Sequence, residues 1–225
     1  MAAEQRFCTQ CGRMQAIPQG PQAAMSSAPG TIYVPKREVR SATGRWIGEG
    51  WVLVKSDIWL FALITLLYIV LSGAVPLVLQ GPLMLGFYLV FAKRLRGMRS
   101  DLNDFFRGFH YFVPALVAHI LITVFVTIGT VLLIIPGLIV AAMFQFTMLF
   151  ILDKRMDFWP AMQSSRAVVR NDYFGFTMFT LTLILLNVLG ALLCGVGLLF
   201  TIPVSMAAVA VAYRDCVGFD PAAEY

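Results

Sequence analysis

Long apolar blocks alternate with short polar ones along this chain. Residues 58–92, 108–152 and 173–213 contain no Asp, Glu, Lys or Arg, and these runs are 35, 45 and 41 residues long. A helix that crosses a bilayer needs about 20 residues, within a range of roughly 17 to 25. Each run therefore accommodates two spans and a tight turn. The pattern predicts an all-α, polytopic membrane bundle of six spans in three repeated hairpins. The first run is the tightest fit, so its helices are short or borrow residues 51–54 from beyond Lys55 and Asp57.

An amphipathic segment precedes each run. In "DLNDFFRGFHYF" (101–112), Leu102, Phe105, Phe106, Phe109 and Phe112 follow helical spacing while Asp101, Asp104 and Arg107 fall off that stripe. A helix lying in the membrane plane has this pattern. "RWIGEGWVLVKSD" (45–57) and "DFWPAMQSSRAVVRND" (157–172) occupy the corresponding places, and in the latter Asp157 suits a cap and Pro160 a first turn.

The chain also repeats itself. "VKSDIW" (54–59) matches "VRNDYF" (169–174) in its order of apolar, basic, small polar, acidic and apolar positions. Pro82 precedes Lys93 by eleven residues and Pro203 precedes Arg214 by eleven, while "IIPG" around Pro136 marks the matching turn of the middle copy. Repeats that begin and end on one side are related by an axis along the membrane normal. Rough three-fold internal symmetry is therefore expected.

Composition agrees with this pattern. The chain is 59% hydrophobic and 13% charged with a mean hydropathy of +0.79, whereas soluble domains carry about a quarter charged residues. All 17 Lys and Arg and all 12 Asp and Glu lie outside the apolar runs. Basic loops stay cytoplasmic, which places both termini there. Lys93, Arg94, Arg96, Arg99 and Arg107, then Lys154, Arg155, Arg166 and Arg170, form a basic rim. Orientation accounts for this rim, and anionic lipid is its expected contact, chiefly at Lys93, Arg94, Arg96, Arg99, Arg107, Lys154 and Arg155. Nucleic acid is not an expected partner.

Three parts follow: a polar cytoplasmic arm at 1–44, a six-span domain at 45–219 and a tail at 220–225. Cys8 and Cys11 in the arm form one Cys-x-x-Cys pair with no second pair after it. Structural zinc takes four tetrahedral ligands. The pair is a metal-free remnant of a zinc knuckle, half of a zinc site shared between two copies or completed by a partner, or a redox motif. Cys216 is a candidate third ligand, and Cys194, in an apolar turn, is not. No other cofactor is expected.

Within the apolar runs His119, Gln145 and Asn187 are the notable polar residues. Such groups hydrogen-bond between helices or mark a ligand or proton site. The absence of Asp, Glu, Lys and Arg from these runs argues against a carboxylate relay and a voltage sensor. His110, near Asp101 and Asp104, is a candidate headgroup contact or interfacial acid–base group. No phosphate loop, His-Glu-x-x-His or Gly-x-Ser-x-Gly is present.

The blocks "GPLMLGFYLVFAKRLRG", "DLNDFFRGFHYF", "LLIIPGLIVAAMFQFTMLFILDKRMDFWPAMQSSRAVV" and "NVLGALLCGVGLLFTIPVSMAAVAVAYRD" resemble a family of uncharacterised bacterial integral membrane proteins. Many members of that family carry an N-terminal zinc ribbon, of which this chain has half. The resemblance covers residues 48–218 and implies a six-span bundle in a bacterial inner membrane, without an activity. The expected function is a non-enzymatic scaffold or accessory subunit of a membrane assembly or homo-oligomer. The alternative is a transporter or lipid-handling protein.

Overall fold

The structure, a computed structural model, describes residues 32–35, 39–193, 195–220 and 223. Cys8, Cys11 and Cys194 lie outside the described residues, as does the arm up to residue 31. The described chain forms α1 (Thr43–Lys55), α2 (Ile58–Ala74), α3 (Gln80–Leu95), α4 (Leu102–Arg107), a 3-10 turn (Gly108–Tyr111), α5 (Phe112–Leu132), α6 (Ile134–Phe144), α7 (Thr147–Lys154), α8 (Phe158–Val169), α9 (Tyr173–Leu192) and α10 (Leu198–Cys216). There is no strand among the described residues.

Four stretches are long and apolar enough to cross a membrane: Leu102–Leu132, Ile134–Lys154, Tyr173–Leu192 and Leu198–Cys216. A fifth is obtained when α1 and α2, bent by 100° at their junction, are taken as one broken span. α2 has 17 residues and α3 has 16. At 1.5 Å per residue they reach about 26 and 24 Å, short of a hydrocarbon core of about 30 Å.

Residues 102–111 form α4 and the 3-10 turn, which continue into α5 as one helical run of 31 residues. Close backbone contact lays the start of this run along α3. Gly108 sits where any Cβ would strike the backbone of Pro82 and Gly86, and a Cβ at Gly86 would strike the carbonyl of Phe105. Asp104, which periodicity assigns to the wet face, is buried, because Lys93 on α3 reaches its Oδ1 at 2.5 Å.

A single neighbour relation recurs around the bundle. α4 packs on α3, α8 on α7, and α1 on α10. Likewise α5 packs on α3, α9 on α6, and α2 on α10. Each amphipathic helix and the apolar helix after it thus lean on the helix that closes the preceding unit. The first unit leans on the last, so the arrangement closes on itself.

The sequence repeats reappear as matched local geometry. Asp57 stands at the N-cap of α2 at φ −152°, ψ 58°, and Asp172 at that of α9 at φ −148°, ψ 67°, where the Asp172 side chain alone accepts a helical N–H, from Gly175. Their N–H groups donate to Val54 and Val169 at 3.2 and 3.1 Å, each three residues back. Trp59 and Phe174, two residues beyond these caps, are 85% and 76% exposed. α3 and α10 both end at a glycine in the left-handed region, Gly97 at φ +74° and Gly218 at φ +81°, each four residues after the basic residue of its repeat. After α3 the N–H groups of Gly97 and Met98 donate to Arg94 and Lys93, both at 3.0 Å. This pairing closes a helix end only where a residue tolerates positive φ.

α3, α7 and the second half of α10 are buried along nearly their whole length. Their aromatic side chains meet those of the outer helices and one another: Phe61 of α2 stacks on Phe91 at 4.9 Å, and Phe150 of α7 meets Tyr213 of α10 edge-on at 5.2 Å. α2, α5 and α9 present large exposed apolar side chains outward, among them Val70, Val131 and Leu192.

The Gly86 contact yields a stability prediction. Gly86→Ala is expected to lower stability by about 1–3 kcal/mol through overpacking. Gly48→Ala, where a Cβ meets nothing, is expected to be neutral or stabilising. Thermal melting in mild detergent distinguishes them, and equal melting temperatures would show that α4 does not rest on α3 here.

Candidate functional site

The charged side chains gather into ion-paired clusters between helices. Lys93 on α3 pairs with Asp104 on α4, and Arg107 lies 3.6 Å from the same carboxylate. The corresponding pair joins Arg214 on α10 to Glu49 on α1 at 2.7 Å. Arg45 pairs with Asp215, whose Oδ2 also accepts the Trp46 indole N–H at 3.0 Å. Arg94 pairs with Asp57 and donates to Ser100 Oγ at 2.8 Å.

Asp153 is the most deeply buried carboxylate among these pairs. It accepts from the Tyr213 hydroxyl at 3.0 Å and the Asp220 N–H at 2.9 Å, with Lys154 Nζ at 3.2 Å. Arg96 lies 3.9 Å from it and donates to the carbonyls of Asp220 and Ala223. Buried charge is tolerated only when paired and hydrogen-bonded in this way. Of the rim residues expected to meet lipid, Lys93, Arg94, Arg96, Arg107 and Lys154 thus bind carboxylates of the protein itself, Arg155 also has an interaction partner, and Arg99 is exposed.

Residues 39–42 are pinned by Asp172. Its Oδ2 accepts from the Ser41 N–H at 3.0 Å and the Ser41 hydroxyl at 2.9 Å, while Oδ1 accepts from the Gly175 N–H at 2.9 Å. The Ser41 backbone bond outweighs partial burial, and with the Gly175 and Ser41 hydroxyl bonds and the nearby Arg40 charge it holds this carboxyl below its ordinary range. Further up the arm the Tyr33 N–H donates to Ser164 Oγ at 2.9 Å, and its ring lies 5.5 Å from Phe150.

His119, Gln145 and Asn187 do not converge. His119 Nε2 lies 3.3 Å from Gln80 Oε1, between α5 and α3. Gln145 Oε1 accepts from Thr180 Oγ1 at 3.3 Å, between the α6–α7 junction and α9. Asn187 Nδ2 donates to Leu183 O and Ser205 Oγ, both at 2.8 Å, between α9 and α10. Each polar side chain therefore serves a different helix pair. His110 is exposed, and no group of three or more metal-ligating side chains occurs among the described residues.

Gln145 also marks a break that the sequence reading passed over. The ladder between α6 and α7 opens here, and Ser165 of α8 fills the gap. Its hydroxyl donates to Met143 O at 2.7 Å and accepts the Phe146 N–H at 3.1 Å. Ser165 is fully buried, so the two backbone groups have no water to turn to.

Beside this break lies a lateral groove of about 1170 Å³. α5 and α6 form its apolar walls through Phe125, Ile128, Leu132, Pro136, Val140 and Phe144. Trp159, Gln163 and Arg166 of α8 and Arg170 at its C-terminal cap also line it, spaced four, three and four residues apart on one helical face. Arg166 and Arg170 have no carboxylate partner among the described residues. Sequence reasoning counted both arginines as rim charge, although the α8 spacing held the signal for a shared face.

Comparison of the chain with family models, curated proteins and solved structures finds no match.

Two predictions follow from these contacts. Ser165→Ala removes the partner of two buried backbone groups and is expected to cost about 1–3 kcal/mol; unchanged melting and unchanged Phe146 amide protection would discount the bridge. A carboxyl held below its ordinary range stabilises the fold above that range, and the contribution is lost as pH falls through the folded-state value. Hydrogen exchange should therefore show Ser41 protection dropping on acidification in the wild type. Asp172→Asn should start lower and stay flat, and identical pH profiles would remove Asp172 as the clamp.

Proposed function

We propose that the chain is an integral membrane protein acting as a non-enzymatic scaffold or accessory subunit, with six spans in three successive hairpins. The observation that carries this reading is the distribution of polar groups. His119, Gln145 and Asn187 each bond within a separate helix pair, and α3, α7 and α10 fill the centre with packed side chains. That arrangement supports a rigid element that presents its outer faces rather than a pathway through its middle. α2 and α3 serve as short spans in this reading, at a modest cost in local bilayer thinning. The excess of basic residues in the polar segments supports a cytoplasmic location for both termini, in the inner membrane of a bacterium as the family resemblance implies.

The topology and the role have separate tests. Cysteines introduced at Val78 and Arg99, on a background where the native cysteines are replaced, should react with an impermeant reagent from opposite sides of the membrane. Labelling from the same side would remove the first hairpin. Native mass spectrometry of gently extracted membranes should show a stoichiometric partner or a homo-oligomer, and a lone monomer would count against the scaffold role.

A further inference from the structure

We infer that the lateral groove between α5, α6 and α8 is a binding site for one anionic phospholipid, its phosphate held by Arg166 and Arg170 and an acyl chain lying along α5 and α6. This goes beyond a scaffold role, which requires no resident lipid.

The charges make the first argument. Lys93, Arg94, Arg96, Lys154 and Arg214 all meet carboxylates of the protein. Arg166 on α8 and Arg170 at its C-terminal cap stand one helical turn apart on the groove, with no such partner among the described residues. Two like charges at this spacing repel, so an anion between them relieves the repulsion and accepts from two planar forks suited to phosphate. The residues outside the described ones carry Glu4, Glu38 and Glu224 against Arg6, Arg13, Lys36 and Arg37, so together they bring no net negative charge to neutralise the pair.

Shape and composition make the second. Small-molecule pockets enclose about 300–1,000 Å³, and this groove, at about 1170 Å³, exceeds that range. From Phe144 to Pro136 its α6 wall runs about 12 Å along the helix at 1.5 Å per residue. Ile128 and Leu132 on the opposite wall are exposed apolar side chains. Trp159 and Gln163 share the arginine face, and a tryptophan at this level matches the headgroup belt of a bilayer. Ile32, Val34 and Pro35 flank the groove, held there by the Tyr33 bond to Ser164. Cations on the α8 wall and apolar side chains on the α5 and α6 walls match an amphiphile with a negative head. A zwitterionic lipid leaves the arginines with an internally neutralised headgroup.

Full-length protein in mild detergent, titrated with phosphatidylglycerol or phosphatidylcholine of identical chains and read by native mass spectrometry, tests the site. The wild type is expected to hold one phosphatidylglycerol and to bind phosphatidylcholine at least tenfold more weakly. R166Q/R170Q should weaken phosphatidylglycerol binding about thirtyfold, the equivalent of ~2 kcal/mol at about 1 kcal/mol per cation near a lipid surface. Val140→Trp, which blocks the trough and leaves the arginines intact, should also reduce occupancy, whereas Lys55→Gln, an exposed cation away from the groove, should not. Undiminished binding by R166Q/R170Q, equal binding of the two lipids, or a polypeptide cross-linked into the groove would each overturn the assignment. None of these outcomes bears on the labelling that tests the spans.

Discussion

Helices surrounded by lipid gain little from hiding apolar side chains against one another, because lipid tails are as apolar as leucine. Association then depends on how closely backbones approach and on polar bonds between helices. In this protein close backbone approaches fall on α3 and α10. A Cβ at Gly50 of α1 would press on the backbone of Val204 and Ala208 in α10, and a Cβ at Gly81 would press on the Ala115 carbonyl. With the Gly86–Phe105 and Gly108–Pro82 contacts, these approaches carry the neighbour relation that runs round the bundle and closes between its first and last helices. The aromatic layers around Phe91 and Tyr213 require helices already brought to this spacing.

The ion pairs are laid over the same joints. Lys93–Asp104 lies beside the Gly86–Gly108 contact, and Arg214–Glu49 beside the Gly50–Ala208 contact. The eleven-residue interval from Pro82 to Lys93, repeated from Pro203 to Arg214, is thus the distance from a close-packed stretch of helix to the charge that locks its partner. In the middle unit α8 meets a broken helix instead, and Ser165 supplies a hydrogen bond in each direction. That exchange of tight packing for a polar bridge places the lateral groove beside α8.

Much of this was legible beforehand. The charge-free runs and Asp57 and Asp172 opening apolar helices survive as geometry, because each rests on chemistry within a few residues. Asp104 was misplaced on the wet face because periodicity describes one helix and says nothing of the Lys93 side chain arriving from another. The separation of His119, Gln145 and Asn187 was equally hidden, since membership of an apolar run does not disclose which neighbour a side chain faces.

The sequence by itself determined the helical class, the order of polar and apolar segments and the boundaries where capping residues and glycines interrupt helices, because these follow from interactions within a few residues. Only the tertiary structure decided which cations meet carboxylates, that Ser165 mends a break twenty residues before it, and that Arg166 and Arg170, without a carboxylate partner among the described residues, line a groove with apolar walls. Those facts depend on contacts between segments far apart in the chain. Such contacts are set by how closely backbones approach, a property that no single segment carries.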